Sequence, residues 1–274
     1  MNGGESATRD GENAQSAHYD EIGVAYDAHY SDPTSESYRE LFVNLPLLGS
    51  LDLRGRDVLE AMCGSGSTAA YVLSKGAHLT GLDISAKLMS VFRARWPQAR
   101  AVQGSILATG FAANSYDCII VVGGFHHIQP LVQEAIDEAF RILRPGGYLC
   151  FAEPHSGSIP DLVRRYWYKF DPLFERAEEA IDLGALEAKN AGRFDFVFTR
   201  FAGNLAYLLV FNSLVFRMPI RLKRFYAPIL LRLEAVLAPH QGRRLSCFVL
   251  CQWQKKAHVG TKVVVALTLW CVIA

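Results

Sequence analysis

The chain has 274 residues, enough for one large domain with an inserted lobe and a sizeable core. Half of its residues are hydrophobic, a fifth are charged and the formal net charge is +1, an ordinary globular balance that excludes a general electrostatic case for binding nucleic acid. The six cysteines (Cys63, Cys118, Cys150, Cys247, Cys251, Cys271) lie mostly in apolar runs with no C-x-x-C pair. That excludes a disulfide framework and a zinc site, and reads as reduced core residues of a cytoplasmic protein.

Residues 1–17 are polar and glycine-containing, with no apolar core of a secretory signal, and read as a disordered tail. A single domain is expected over 18–256. Within 18–42, Tyr19, Tyr26, Tyr30 and Tyr38 recur at helix-compatible spacing among acidic residues. This predicts an amphipathic helix over one side of a sheet; the alternative is a lid whose tyrosines reach a ligand.

From there strands and helices alternate. Strands are predicted at 57–60, 78–83, 99–103, 116–123 and 148–153, and helices at 67–75, 85–96 and 131–143. The last helix is followed by Arg144-Pro145-Gly146-Gly147, a helix stop. Such alternation implies a parallel sheet with helices on both faces and a ligand site at the carboxyl ends of the strands. Between the first strand and the first helix stands E-A-M-C-G-S-G-S-T-A, residues 60–69. Gly64 and Gly66 permit positive φ and close approach of a ligand, and the amides of the helix start favour a polar or anionic group. Asp83 closes the second strand, where an acid grips ribose hydroxyls in nucleotide-type sites.

After Glu153 the pattern changes. Residues 156–191 and 203–238 read as a helical cap and substrate region, separated by an alternating strand at 193–201 with Phe194, Phe196 and Phe198 on one face. A second alternating strand, 245–254, follows, with Leu245, Cys247, Val249, Cys251 and Trp253 on one face. Residues 257–274 form an apolar tail, whose run 263–274 is shorter than the about 20 residues of a membrane span.

Taken in order, the aromatic segment, E-A-M-C-G-S-G, L-D-I-S, Y-D-C-I-I-V-V-G-G-F-H-H and R-I-L-R-P-G-G-Y-L-C-F-A-E-P resemble the class I S-adenosylmethionine-dependent methyltransferases of small-molecule type, over most of residues 18–254. The resemblance implies a Rossmann-like α/β fold, with a seven-stranded, mostly parallel sheet and a helical cap inserted before the last strands. It implies S-adenosyl-L-methionine as cofactor, with Glu60 ordering the glycine turn and Ala61, Met62, Cys63, Gly64 and Gly66 along the methionine part. Asp83 would take the ribose, Ile84 and Met89 the adenine face, and Ser105 and Ile106 the adenine amino group. Val122, Gly123 and His127 would approach the sulfonium end, with Tyr19, Tyr26 or Tyr30 closing over it. The sequence departs from the family pattern in two places. Met62 stands where the turn usually has its first glycine, which calls for an ordinary φ there, and Ser105 replaces a frequent acid. A rival reading, a dinucleotide-dependent oxidoreductase, rests on the fit of Gly64, Gly66 and Ala69 to G-x-G-x-x-A. A second rival is a catalytically silent cofactor-binding scaffold.

The expected reaction is methyl transfer to oxygen of a small apolar or aromatic metabolite, which needs an aligned nucleophile and a base. The candidate bases are His155 first, placed beyond the fifth strand, and then His126 and His127; no metal site is expected. The apolar and basic stretch 203–238 and the tail are the candidate peripheral membrane contacts.

Overall fold

The computed structural model describes residues 30–168, 179–213 and 219–257. The tails 1–17 and 258–274, Tyr19, Tyr26 and Cys271 lie outside the described residues. The strands β1 (Asp57–Ala61), β2 (His78–Asp83), β3 (Arg100–Gln103), β4 (Tyr116–Val122) and β5 (Leu143–Pro154) pair in parallel. β6 (Phe194–Ala202) and β7 (Phe248–Lys255) complete the sheet, β7 running antiparallel to both β5 and β6. The sheet has seven strands in the order 3-2-1-4-5-7-6.

β1, β4 and β7 carry Val, Ile, Leu and Cys at both parities, so both their faces must be covered. One face packs with Tyr38, Leu47, Val72, Phe92 and Leu250, and the other with Leu59, Ile119, Ile136, Phe151 and Trp253. The covering helices are α1 (Pro33–Arg39), which continues through one π turn (Glu40–Asn44) into α2 (Leu45–Leu48), then α3 (Ala69–Ser74), α4 (Ala86–Arg95) and α5 (Val132–Ile142). The cap region contributes α6 (Ile159–Tyr168), α7 (Leu183–Asn190), a π turn (Tyr207–Phe211) and α8 (Ile220–Leu237).

Several boundaries differ from the sequence reading. The Arg-Pro-Gly-Gly stretch does not separate helix from strand: β5 already begins at Leu143, which pairs with Tyr116, and an irregularity absorbs the extra residues before Tyr148 meets Cys118. The last two carbonyls of α5, Arg141 O and Ile142 O, accept instead from Asn114 N and Ser115 N, while Lys255 Nζ donates to Phe140 O at 2.7 Å and Leu143 O at 2.6 Å. In β6 a bulge between Phe196 and Phe198 shifts the register by one residue. Phe194 and Phe196 therefore join one core cluster and Phe198 the other, and the three do not share a face. β7 starts at Phe248, because Arg243–Leu245 forms a 3-10 turn with Leu245 exposed. Tyr38 is wholly buried core, its hydroxyl donating to Glu234 at 3.2 Å.

The β1 end sets up the turn that follows. Glu60 is buried, and its Oε1 accepts from Thr68 N at 2.7 Å and from Ser67 Oγ at 3.3 Å. It thereby takes the amide at the start of α3 that the sequence offered to a ligand. Burial raises the Glu60 carboxyl from its ordinary 4.5 to about 7, against the pull of the Thr68 and Ser67 bonds and the Arg39 charge. A raised folded-state value means the native chain keeps a proton that the unfolded chain has already released. The contribution is full at pH 4.5 and below and is lost as pH rises through 7. The melting-temperature difference between wild type and Glu60→Gln, followed from pH 4.5 to 8, should fall by a few degrees with rising pH; a flat difference would assign Glu60 an ordinary titration.

Candidate functional site

At the carboxyl ends of β1, β2 and β4 lies a cavity of about 760 Å³, within the size range of small-molecule sites. Its floor is the turn after β1. Gly64 and Gly66 have φ of +54° and +93°, and a Cβ built on Gly66 would fall 2.4 Å from Trp96 Nε1, so only glycine fits under that ring. A Cβ on Gly64 would meet nothing nearer than Leu88 at 3.9 Å; its surface is open to the cavity. Met62 also has positive φ, +53°, and the ordinary φ expected there is corrected. The left-handed turn is kept despite the side chain because Gly124 makes room for it: a Cβ at Gly124 would lie 2.8 Å from Met62 Sδ. Such a backbone state costs about 1–3 kcal/mol and persists only where its surroundings enforce it.

Asp83 lines the cavity from the end of β2. Its Oδ2 accepts from Gly64 N at 2.8 Å and its Oδ1 from Ser85 N at 2.9 Å, which pins the carboxylate between turn and helix. Ser85 in turn caps α4, accepting from Leu88 N at 3.1 Å. Ile84, Leu88 and Ile106 supply apolar wall, and Ser105 stands beside them with its hydroxyl accepting from Leu107 N at 3.0 Å.

Beyond β4, Glu153 at the end of β5 is fully buried and accepts from Gly124 N at 2.7 Å and Phe125 N at 2.8 Å. The same carboxylate meets His126 Nδ1 at 2.8 Å. A carboxylate already accepting two amides fixes Nδ1 as the protonated nitrogen and leaves Nε2 as the basic atom of the ring. His127 packs against His126 with ring centroids 3.9 Å apart and planes tilted by 38°, and both rings line the cavity.

Of the residues singled out from the sequence, Tyr30, Met62, Cys63, Gly64, Gly66, Asp83, Ile84, Ser105, Ile106, Val122, Gly123, His126 and His127 all line this one cavity. Glu60 and Ala61 lie behind its wall, in the sheet. Met89 points into the core; its neighbour Leu88 occupies the wall, since one residue along a helix turns the side chain by about 100°. His155 is not brought to the cavity. It is buried at the β5 end, bridging Ile181, with Nε2 at 2.7 Å from Ser246 Oγ and Nδ1 at 3.2 Å from Ser156 O. Burial lowers its pKa, consistent with a neutral ring packed on Phe201.

The sequence reading missed the opposite wall, built by Tyr207, Phe211, Asn212, Phe248 and Arg39. Tyr30 donates its hydroxyl to Asn212 Oδ1 at 3.1 Å, and Arg39 lies 5.5 Å over the Phe211 ring and donates to Tyr30 O at 3.0 Å. None of these residues sits in a motif; only their aromatic character marked the region.

The family model described as a methyltransferase domain matches residues 59–151. An uncharacterised methyltransferase of Synechocystis is 30% identical over 153 residues, which cover 56% of this chain and 66% of that protein. A malonyl-[acyl-carrier protein] O-methyltransferase of Enterobacter lignolyticus is 33% identical over 114 residues, covering 42% of this chain and 45% of the relative. The chain thus spans less than two thirds of the length of these two relatives. A demethylmenaquinone methyltransferase of Clavibacter sepedonicus is 26% identical over 186 residues, 66% of this chain and 72% of the relative. Among solved structures, the [4+2]-cyclase SpnF superposes with a TM-score of 0.60 at 15% identity, covering 90% of this chain and 97% of that one. A methyltransferase of Thermotoga maritima gives 0.57 at 16% identity, over 87% and 98%. These likenesses establish the fold.

The cavity's own features fit the cofactor of such methyltransferases: an open glycine surface at Gly64, a pinned carboxylate at Asp83, and an apolar wall of Ile84, Leu88 and Ile106. Over residues 59–151 the chain matches the methyltransferase-domain family, and its fold is that of an S-adenosylmethionine-dependent methyltransferase.

Proposed function

We propose that the chain transfers a methyl group from S-adenosylmethionine to an oxygen of a small apolar or aromatic metabolite. The observation that carries this reading is a single cavity with a glycine turn and Asp83 on one side, an aromatic wall on the other, and a carboxylate-held histidine lining it. The bound cofactor supplies an electrophilic methyl on a sulfonium. Gly64, Asp83, Ile84 and Leu88 would hold it, with Ser105 and Ile106 at the edge of the adenine slot. Tyr30, Tyr207, Phe211 and Phe248 shape the remaining space for a flat, apolar acceptor and exclude water from it.

His126 is the group that takes the acceptor's hydroxyl proton. Its Nδ1 proton is committed to Glu153, so Nε2 acts as base, and the buried carboxylate steadies the imidazolium that forms. His127, packed against it, limits rotation of the ring. Two of the relatives favour oxygen or a lipophilic ring acceptor: one methylates a carrier-bound malonyl group at oxygen, and the other acts on demethylmenaquinone. The SpnF likeness supports keeping the alternative of a cofactor-binding domain without methyl transfer, because one fold hosts unrelated reactions.

Thermal-shift titration with S-adenosylhomocysteine and, separately, NADH tests the cofactor. A hundredfold excess over the dissociation constant adds about 2.7 kcal/mol of apparent stability. A shift with S-adenosylhomocysteine alone, lost in Asp83→Ala, is expected; a shift with NADH alone would establish the oxidoreductase. An acceptor screen over phenols, quinols and carboxylic acids then tests the chemistry. For any acceptor found, His126→Asn should lower kcat by roughly 10²–10⁴-fold while leaving S-adenosylhomocysteine affinity within a factor of two or so. Equal loss in both quantities would make His126 a cofactor contact instead of the base.

A further inference from the structure

Helix α8 packs Tyr226, Ala227, Leu230 and Leu231 against the core and buries two charged side chains among them. Its inward face carries Lys223 and Glu234, both buried, beside Ala227. Lys223 Nζ reaches Asp32 Oδ2 at 2.7 Å and Ser35 Oγ at 2.9 Å. Glu234 accepts from the amides of Asn204 and Ala206, each at 2.9 Å, and from Tyr38. These charged groups tie the helix to α1 and to the turn after β6, and they use up its only acid. The outward face is left with Leu222, Phe225, Ile229, Leu233, Val236 and Leu237, a stripe recurring every three or four residues. Phe225, Ile229 and Val236 are 66%, 62% and 68% exposed. The charges on that face are Arg221, Arg224 and Arg232, all positive, and none is in an ion pair among the described residues. Arg224 lies 4.7 Å over the Phe225 ring, its charge beside the apolar stripe. The same pairing recurs next door: α6 packs against the 243–245 turn, where exposed Leu245 follows Arg243 and Arg244.

From this we infer that the outward face of α8 docks on an anionic phospholipid surface, with Phe225, Ile229 and Val236 entering the headgroup boundary and the three arginines engaging lipid phosphates. Charge decides the occupant. An apolar stripe rimmed by one sign of charge with no acid is the pattern of an interfacial helix. A symmetric contact with a second copy would set arginines against arginines. The apolar stretch 263–274 carries no acidic side chain to meet them. Among the described residues no helix is long and apolar enough to cross a membrane, so the contact is peripheral. The inference extends the proposed function, since a bilayer is where an apolar acceptor is concentrated, but it stands on α8 and is read without turnover.

Flotation of the full chain with vesicles of phosphatidylcholine, with and without about a third phosphatidylglycerol, tests it. Expected is flotation with the anionic vesicles, weakened by salt. It should drop roughly tenfold or more both in Phe225→Ser/Ile229→Ser/Val236→Ser and in Arg221→Gln/Arg224→Gln/Arg232→Gln. S-adenosylhomocysteine thermal shifts on both variants verify that they fold and separate failure of this surface from failure of the cofactor site. Equal flotation with neutral vesicles, or binding retained in the apolar variant, would overturn the inference. So would absence of flotation accompanied by a dimer, seen by light scattering, that the apolar variant dissociates.

Discussion

The turns that leave the carboxyl ends of the parallel strands present buried backbone amides, and each such amide must find an acceptor. In this chain carboxylates at the strand ends meet that demand. Glu60 takes Thr68 N, Asp83 takes Gly64 N and Ser85 N, and Glu153 takes Gly124 N and Phe125 N. The three acids hold the turns that form the cavity floor. Two of them lie behind the wall and only Asp83 faces the cavity, so one chemical device both orders the turns and presents a carboxylate to the cavity. The difference between them is burial: Glu60, sealed in the sheet, has its carboxyl pushed up to about 7, whereas Asp83 stays half-buried at the cavity surface.

The second constraint is the attachment of the cap. Asp32 begins α1 as its N-cap, accepting from Thr34 N and Ser35 N, and the same carboxylate pairs with Lys223 of α8. The ammonium beside it, together with the Ser35 and Thr34 bonds, holds Asp32 down to about 2 against the opposing effect of burial, while burial lowers Lys223. Breaking one partner of such a pair strands the other charge in the interior, a loss of about 3–5 kcal/mol. The N-terminal helix and α8 are thus joined by a contact neither can relinquish cheaply. Because α1 and the Tyr207–Phe211 turn both line the cavity, that joint also shapes the acceptor side. It explains why α8 turns Lys223 and Glu234 inward while an apolar stripe stays outside.

The cofactor side was legible because short-range chemistry dictates it. Glycines at 64 and 66, acids at the ends of β1, β2 and β5, and a serine cap at Ser85 are local requirements of turn and helix start. The alternation of strand and helix then implies a parallel sheet without any knowledge of contacts. Local patterning misled where a distant partner intervened. Met62 adopts positive φ because Gly124, on another strand connection, yields the space. The phenylalanines of β6 divide between two faces because β7 imposes a bulge, and His155 turns inward because Ser246 meets it.

By itself, then, the sequence determined the fold class, the strand sequence, the glycine turn, the acid at the end of β2 and the pair of histidines after β4, since each is written in residues close together along the chain. Only the tertiary structure decided which histidine is held by a carboxylate, since Glu153 lies 27 residues from His126. It alone decided which aromatics face the cavity, and that α8 buries Lys223 and Glu234 while exposing an apolar stripe. Those are outcomes of packing between segments far apart in the chain, where pairing energy across the fold overrides the period and polarity of any one segment.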